Sequence, residues 1–94
     1  IEYSTEVLKT KLIVVLGHES CGAVDAAIKL PDNPPGHVVT LINAIKPAAV
    51  KSFGKNINPK DRLAFAIREN VLQQVNELRE LEPVLSKRFQ KGEV

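Results

Sequence analysis

Apolar and polar residues along this chain follow two different rhythms. Ile1, Val7 and Leu8 fall on one side of an opening amphipathic stretch, with Glu2 and Glu6 on the other, so residues 1–8 read as the end of a helix. Lys9 to Lys11 form a short connection. Leu12-Ile13-Val14-Val15-Leu16 is then continuous, aliphatic and rich in β-branched residues, and Gly17 ends it. A run of five is too short for a buried helix and fits a strand covered on both faces, as in parallel sheets. Helical spacing returns over Ala23 to Leu30, ended by Pro31, and again over His37 to Phe53. In the second stretch Val38, Leu41, Ile42, Ile45, Ala49 and Phe53 share a side, and Pro47 is expected to kink or divide it.

Loops punctuate this map. Pro31 to Gly36 carries three prolines and a glycine in six residues, and Gly54 to Asn58 is a second loop. Asn58-Pro59 reads as an N-cap followed by proline at the first helical position, with Asp61 in that turn. The longest helix runs from there to about Leu81, with Leu63, Ile67, Val71, Val75 and Leu78 as its stripe. Pro83 opens a last short helix bearing Val84, Leu85 and Phe89, and Gly92 ends it. The result is four or five helices and one strand. A lone strand leaves its backbone N–H and C=O groups without a ladder, so either this one takes neighbours from missing segments or another chain, or the run is helical after all. The fold class is therefore α/β, a helix-rich portion around one core strand at about 11–16, in a single partial domain over 1–94.

Ninety-four residues hide only roughly two-thirds of their unfolded surface, so the core of such a domain is marginal. With no Trp, three Phe and one Tyr, that core is aliphatic. A net charge of +2 from 13 basic and 11 acidic residues indicates neither nucleic acid nor an anionic membrane as partner. No apolar run approaches the ~18 residues of a membrane helix. Ile1 opens an amphipathic stretch rather than a basic region before an apolar one, so no signal peptide is expected. One Cys excludes an intrachain disulfide and points to a reducing compartment, cytoplasmic or plastid-like.

Candidate chemistry concentrates in Gly17-His18-Glu19-Ser20-Cys21-Gly22, beyond the carboxyl end of the strand and at the start of a helix, where α/β folds place their sites. His18 and Cys21 stand three apart, and imidazole and thiolate are both good zinc ligands. The glycines allow a tight turn and close backbone approach. A helix N-terminus would favour the thiolate. Spacing alone leaves two readings open: half of a zinc site, or a small buried cysteine beside a turn histidine. Other donors include His37, Asp25, Asp32, Glu19 and Asp61, with no second Cys. His37 reads as a helix-start histidine, Asp25 as a first-turn carboxylate favoured by the helix dipole, and Arg68 and Glu69 as a solvated face. Lys87, Arg88 and Lys91 suit a helix end.

Residues 11–24, KLIVVLGHESCGAV, resemble the second zinc-ligand motif of beta-class carbonic anhydrases. The resemblance continues through Ile1-Glu2-Tyr3 with Val7-Leu8, through Pro35-Gly36-His37 with Leu41, through Ala44-Ile45-Lys46-Pro47-Ala48, and through Ala66-Ile67-Arg68-Glu69-Asn70-Val71. It implies a zinc-dependent lyase that converts carbon dioxide reversibly to bicarbonate and a proton, zinc lowering the pKa of a water toward ~7. His18 would be the imidazole ligand and Cys21 a thiolate ligand. The family's Cys-x-Asp-x-Arg motif, which carries the other thiolate, has no match here, and neither has its last strand. The chain alone is therefore expected to be inactive, and to form a homodimer or larger assembly. The competing expectation is a degenerate relative serving as an oligomerisation or binding module, or one in which two chains build a closed structural Cys₂His₂ zinc site.

Overall fold

The computed structural model describes residues 1–30 and 34–94. Among these described residues five α-helices follow in order, α1 (Glu2–Glu6), α2 (Gly22–Lys29), α3 (Val38–Lys51), α4 (Arg62–Glu80) and α5 (Leu85–Gln90), with a 3₁₀ turn at Pro59–Asp61 leading into α4. The Pro31-Asp32-Asn33 part of the predicted loop lies outside the described residues. The helices group into two compact units, one of residues 17–72 and one of residues 1–16 with 73–94.

The unit of residues 17–72 packs α2, α3 and the first turns of α4 around Val24, Ala27, Ile42, Ile45, Ala49 and Ala66. Complete burial of Ile42 contributes about 1.5–3 kcal/mol. Ala27, Ala48, Ala49 and Ala66 are buried almost completely, and their small side chains let the helices approach closely. Lys46 on α3 donates from Nζ to the carbonyls of Ala27 and Leu30, both at 3.1 Å, and so satisfies acceptors at the end of α2. Leu30, just before Pro31, is extended at ψ 152°, the conformation a following proline imposes.

Pro47 does not divide α3, which runs unbroken from Val38 to Lys51. Proline removes the donor that would serve Asn43, but Asn43 and Pro47 are both exposed, where water can serve that carbonyl. Ile45, Ala48 and Ala49 hold both sides of the proline in the core. The α3 stripe is narrower than expected, because Val38, Leu41 and Phe53 are exposed while Ile42, Ile45 and Ala49 turn inward. Before α4, Asn58 Oδ1 accepts from the Lys60 backbone N–H at 3.2 Å, the cap expected from Asn58-Pro59. Arg62 fixes the same junction. Its Nε donates to the Ser52 carbonyl at 3.3 Å, and its guanidinium lies 4.2 Å from the Phe53 ring centre.

In the other unit α1 is barely more than one turn, ending at Glu6 rather than Leu8. Lys9 has a φ of 59°, and Thr10 N–H donates to the Ser4 carbonyl at 2.9 Å, closing the helix with a left-handed residue. The buried residue of α1 is Thr5, whose Oγ1 donates to the Glu2 carbonyl at 3.1 Å. The expected stripe of Ile1, Val7 and Leu8 is exposed instead. Arg88 on α5 donates from Nε to Glu6 at 2.9 Å and from Nη1 to Glu93 at 3.0 Å. The Arg88 hydrogen bond holds the Glu6 carboxyl below its ordinary range. Arg79 stacks on Phe89 at 4.8 Å.

The segment expected as a strand at 11–16 carries no ladder hydrogen bonds, and no strand is paired among the described residues. Its burial alternates nonetheless. Ile13 and Val15 are half-buried and line an apolar cavity of about 250 Å³ with Val75, Leu78, Leu85 and Phe89. Leu12, Val14 and Leu16 are 73%, 71% and 86% exposed. A period of two is that of an extended chain. The expectation of cover on both faces is corrected to cover on one, because no layer among the described residues packs over Leu12, Val14 and Leu16.

Candidate functional site

The turn after residue 16 is built against α4. A Cβ on Gly17 would come within 2.8 Å of Val71 Cγ2 and 3.1 Å of Ile67 Cγ2. Gly17 is not in the left-handed region, so the close approach of the helix, rather than the backbone angle, demands glycine. Gly22 meets nothing within 4 Å, and there the expected need for close approach is not met. The left-handed residue of the turn is Ser20, at φ 55°.

His18 is exposed, and its Nδ1 lies 2.9 Å from the backbone oxygen of Glu19. A carbonyl only accepts, so in this bond Nδ1 carries the proton. In the neutral ring Nε2 then keeps its lone pair, the form in which imidazole binds a metal. Cys21 occupies the N-cap position of α2 in extended conformation, but its side chain makes no capping hydrogen bond. It is half-buried and packs against the core of α2, α3 and α4. Asp25 lies in the first turn of α2, the position expected for it, and pairs with Lys29 at 3.0 Å. His37 is the exposed N-cap residue of α3. Among the described residues no three His, Cys, Asp or Glu side chains converge on a point that could hold a metal ion.

His18, Glu19 and Ser20 form one wall of an open hollow of about 760 Å³. Leu63, Ile67 and Val71 form its apolar floor, and Lys60 and Arg68 also border it. The sequence reading set Arg68 on a solvated face and gave Lys60 no role. Their shared border follows from position, since Lys60, Ala64 and Arg68 recur every four residues beside the Leu63–Ile67–Val71 stripe. Glu69, the neighbour of Arg68, is turned to Lys51 at 3.6 Å.

The family model for carbonic anhydrase matches residues 1–94. The carbonic anhydrase of Mycolicibacterium smegmatis is 47% identical over 77 residues, which are 78% of this chain and 37% of that protein. Carbonic anhydrase 2 of Mycobacterium tuberculosis is 43% identical over 53 residues, 53% of this chain and 26% of that protein. The matched stretches thus span little more than a third of these relatives at most. No helix among the described residues is long and apolar enough to cross a membrane.

Proposed function

This chain belongs to the carbonic anhydrase family, in its beta class, and on that premise we propose that it supplies one imidazole and one thiolate, His18 and Cys21, to a zinc centre for reversible hydration of carbon dioxide. The observation that carries the reading is the state of the two donors. His18 has Nε2 open, because Nδ1 is held on the Glu19 carbonyl, and Cys21 Sγ is not spent on capping α2. Both chemistries fit zinc. Zinc bound there would supply Lewis acidity, lowering the pKa of a water toward roughly 7.

The chain's own residues prepare that binding. The Glu19 carbonyl fixes the His18 tautomer and limits rotation of the ring. Gly17 lets the turn lie against Ile67 and Val71 without a clash. The α2–α3–α4 core anchors Cys21. Two donors fall short of the three ligands and open position that zinc catalysis needs, so the remaining ligation comes from outside this chain. The segment at 12–16 is, on this reading, a strand whose unpaired backbone groups await the rest of a sheet and whose exposed row of Leu12, Val14 and Leu16 awaits a covering layer. A single thiol kept as a ligand suits a reducing compartment of cytoplasmic type.

The test combines metal analysis with stopped-flow carbon dioxide hydration on the same sample of this chain. The expected result is zinc retained through His18 and Cys21, with hydration no faster than a zinc-only blank. Hydration well above that blank would overturn the half-site. Half a zinc per chain, lost together with dimerisation in Cys21→Ser, would replace it with a closed Cys₂His₂ site between two copies.

A further inference from the structure

The unit of residues 1–16 with 73–94 carries a cavity chemically unlike the hollow beside His18. Ile13 and Val15 of the extended segment, Val75 and Leu78 of α4, and Leu85 and Phe89 of α5 line its volume of about 250 Å³. Neither His18 nor Cys21 borders it. Two cations do, Lys11 and Arg79, and no carboxylate side chain stands among the lining residues. The Phe89 ring holds the Arg79 guanidinium at that wall, 4.8 Å from the ring centre, without supplying a counter-charge. Among the described residues neither cation has a carboxylate partner. Glu6 and Glu93 are taken by Arg88, and Glu82 accepts from Ser86 Oγ at 2.6 Å. An apolar chamber with unneutralised positive charge on its border matches a molecule with an apolar tail and an anionic head. A cavity of about 150 Å³ admits benzene, so this one has room for a tail of about six carbons. A guanidinium offers a planar fork that fits both oxygens of a carboxylate, and an ammonium adds a movable point charge.

We propose that this cavity is a binding site for a small aliphatic monocarboxylate, its tail seated among Ile13, Val15, Val75 and Leu78 and its carboxylate held by Arg79 and Lys11. Tail length sets the affinity, since each methylene moved out of water is worth about fourfold in binding. The cations set the choice of head group, because an alcohol of the same length gives them no charge to meet. The site is independent of zinc and of the function proposed above, as it shares no residue with the metal donors.

The test is an NMR titration of the whole chain in EDTA, at neutral pH and fixed ionic strength, with sodium hexanoate, sodium butanoate, sodium acetate and 1-hexanol as probes. Backbone amides of Ile13, Val15, Val75, Leu78 and Phe89 report binding. Hexanoate is expected to give saturable shifts there, roughly fifteenfold tighter than butanoate for its two further methylenes, and acetate only a linear drift. Lys11→Gln and Arg79→Gln should each weaken hexanoate about two- to fivefold, the scale of an exposed charge pair, and leave 1-hexanol unchanged. Lys60→Gln, outside this cavity, should leave both unchanged. All three positions are exposed, so the variants keep the fold, which unchanged circular dichroism checks. Linear shifts for hexanoate, an affinity that does not rise with chain length, or an equal loss in Lys60→Gln would overturn the site. Shifts of the same amides on dilution of the ligand-free chain would also overturn it, by showing that a second copy covers the cavity. Because EDTA removes metal, a failure of the zinc half-site leaves this result intact. Zinc binding without hexanoate binding would sink this inference alone.

Discussion

Gly17→Ala is the substitution whose cost can be worked out most directly from the structure. The added methyl would lie 2.8 Å from Val71 Cγ2 and 3.1 Å from Ile67 Cγ2. Both are branched methyls on a helix, where χ1 has one strongly preferred setting, so neither swings away cheaply. Both parent residues are half-buried, so the helix can yield by a few tenths of an ångström, though the 2.8 Å contact asks for more. Forcing a methyl into such a contact costs about 1–3 kcal/mol. At about 4–8 °C per kcal/mol for a domain of this size, a loss of ~2 kcal/mol lowers Tm by roughly 8–16 °C. Urea denaturation of wild type, Gly17→Ala, Val71→Ala and the double variant closes a double-mutant cycle. Val71→Ala removes the offending methyl, so the two substitutions should couple by about 1–2 kcal/mol, with alanine at 17 tolerated better in the Val71→Ala background. A Gly17→Ala penalty below ~0.3 kcal/mol, or one equal in both backgrounds, would show that helix approach is not why glycine stands there.

Lys46→Met removes the donors to the Ala27 and Leu30 carbonyls at the end of α2 and should cost about 1–2 kcal/mol in urea denaturation. The Glu6–Arg88 pair gives a pH signature. Arg88 depresses the Glu6 pKa from 4.5, so the pair's contribution is complete above the unfolded value and is lost as pH falls through the lower folded value. Glu6→Gln should therefore flatten the acid-side decline in stability below about pH 4.5, as read by thermal melts at stepped pH, and leave the neutral-to-alkaline limb unchanged. Val14→Lys alters a side chain 71% exposed, so it should spare the stability of the isolated chain while reducing self-association in light scattering, if the 12–16 segment seeks strand partners.

Helices were legible wherever local rules govern them. Asn58-Pro59 announced the start of the 3₁₀ turn and α4, and the Leu63-to-Leu78 stripe is half-buried along its length as the spacing requires. Tertiary context decided the rest. Pro47 reads as a break, yet its core flanks carry α3 through it. Ile1, Val7 and Leu8 read as an inward stripe and are exposed, because Thr5 occupies the buried side of α1. The run at 12–16 reads as a doubly covered strand, but a ladder needs a second strand, and period-two burial is the part of that property a lone segment retains. At the site, His18 and Cys21 stand out by residue type, and the Gly17 contact follows from close approach of the helix. The border formed by Lys60 and Arg68 was missed because charges on an amphipathic helix read as solvated until an opposing turn is placed beside them.

X-ray absorption spectroscopy at the zinc edge, on the zinc-loaded chain and on its Cys21→Ser and His18→Ala variants, addresses the metal half-site without relying on activity. The account predicts sulfur scattering at about 2.3 Å and imidazole scattering at about 2.0 Å, the first lost in Cys21→Ser and the second in His18→Ala. A zinc shell of oxygen or nitrogen alone, identical in all three proteins, would contradict it.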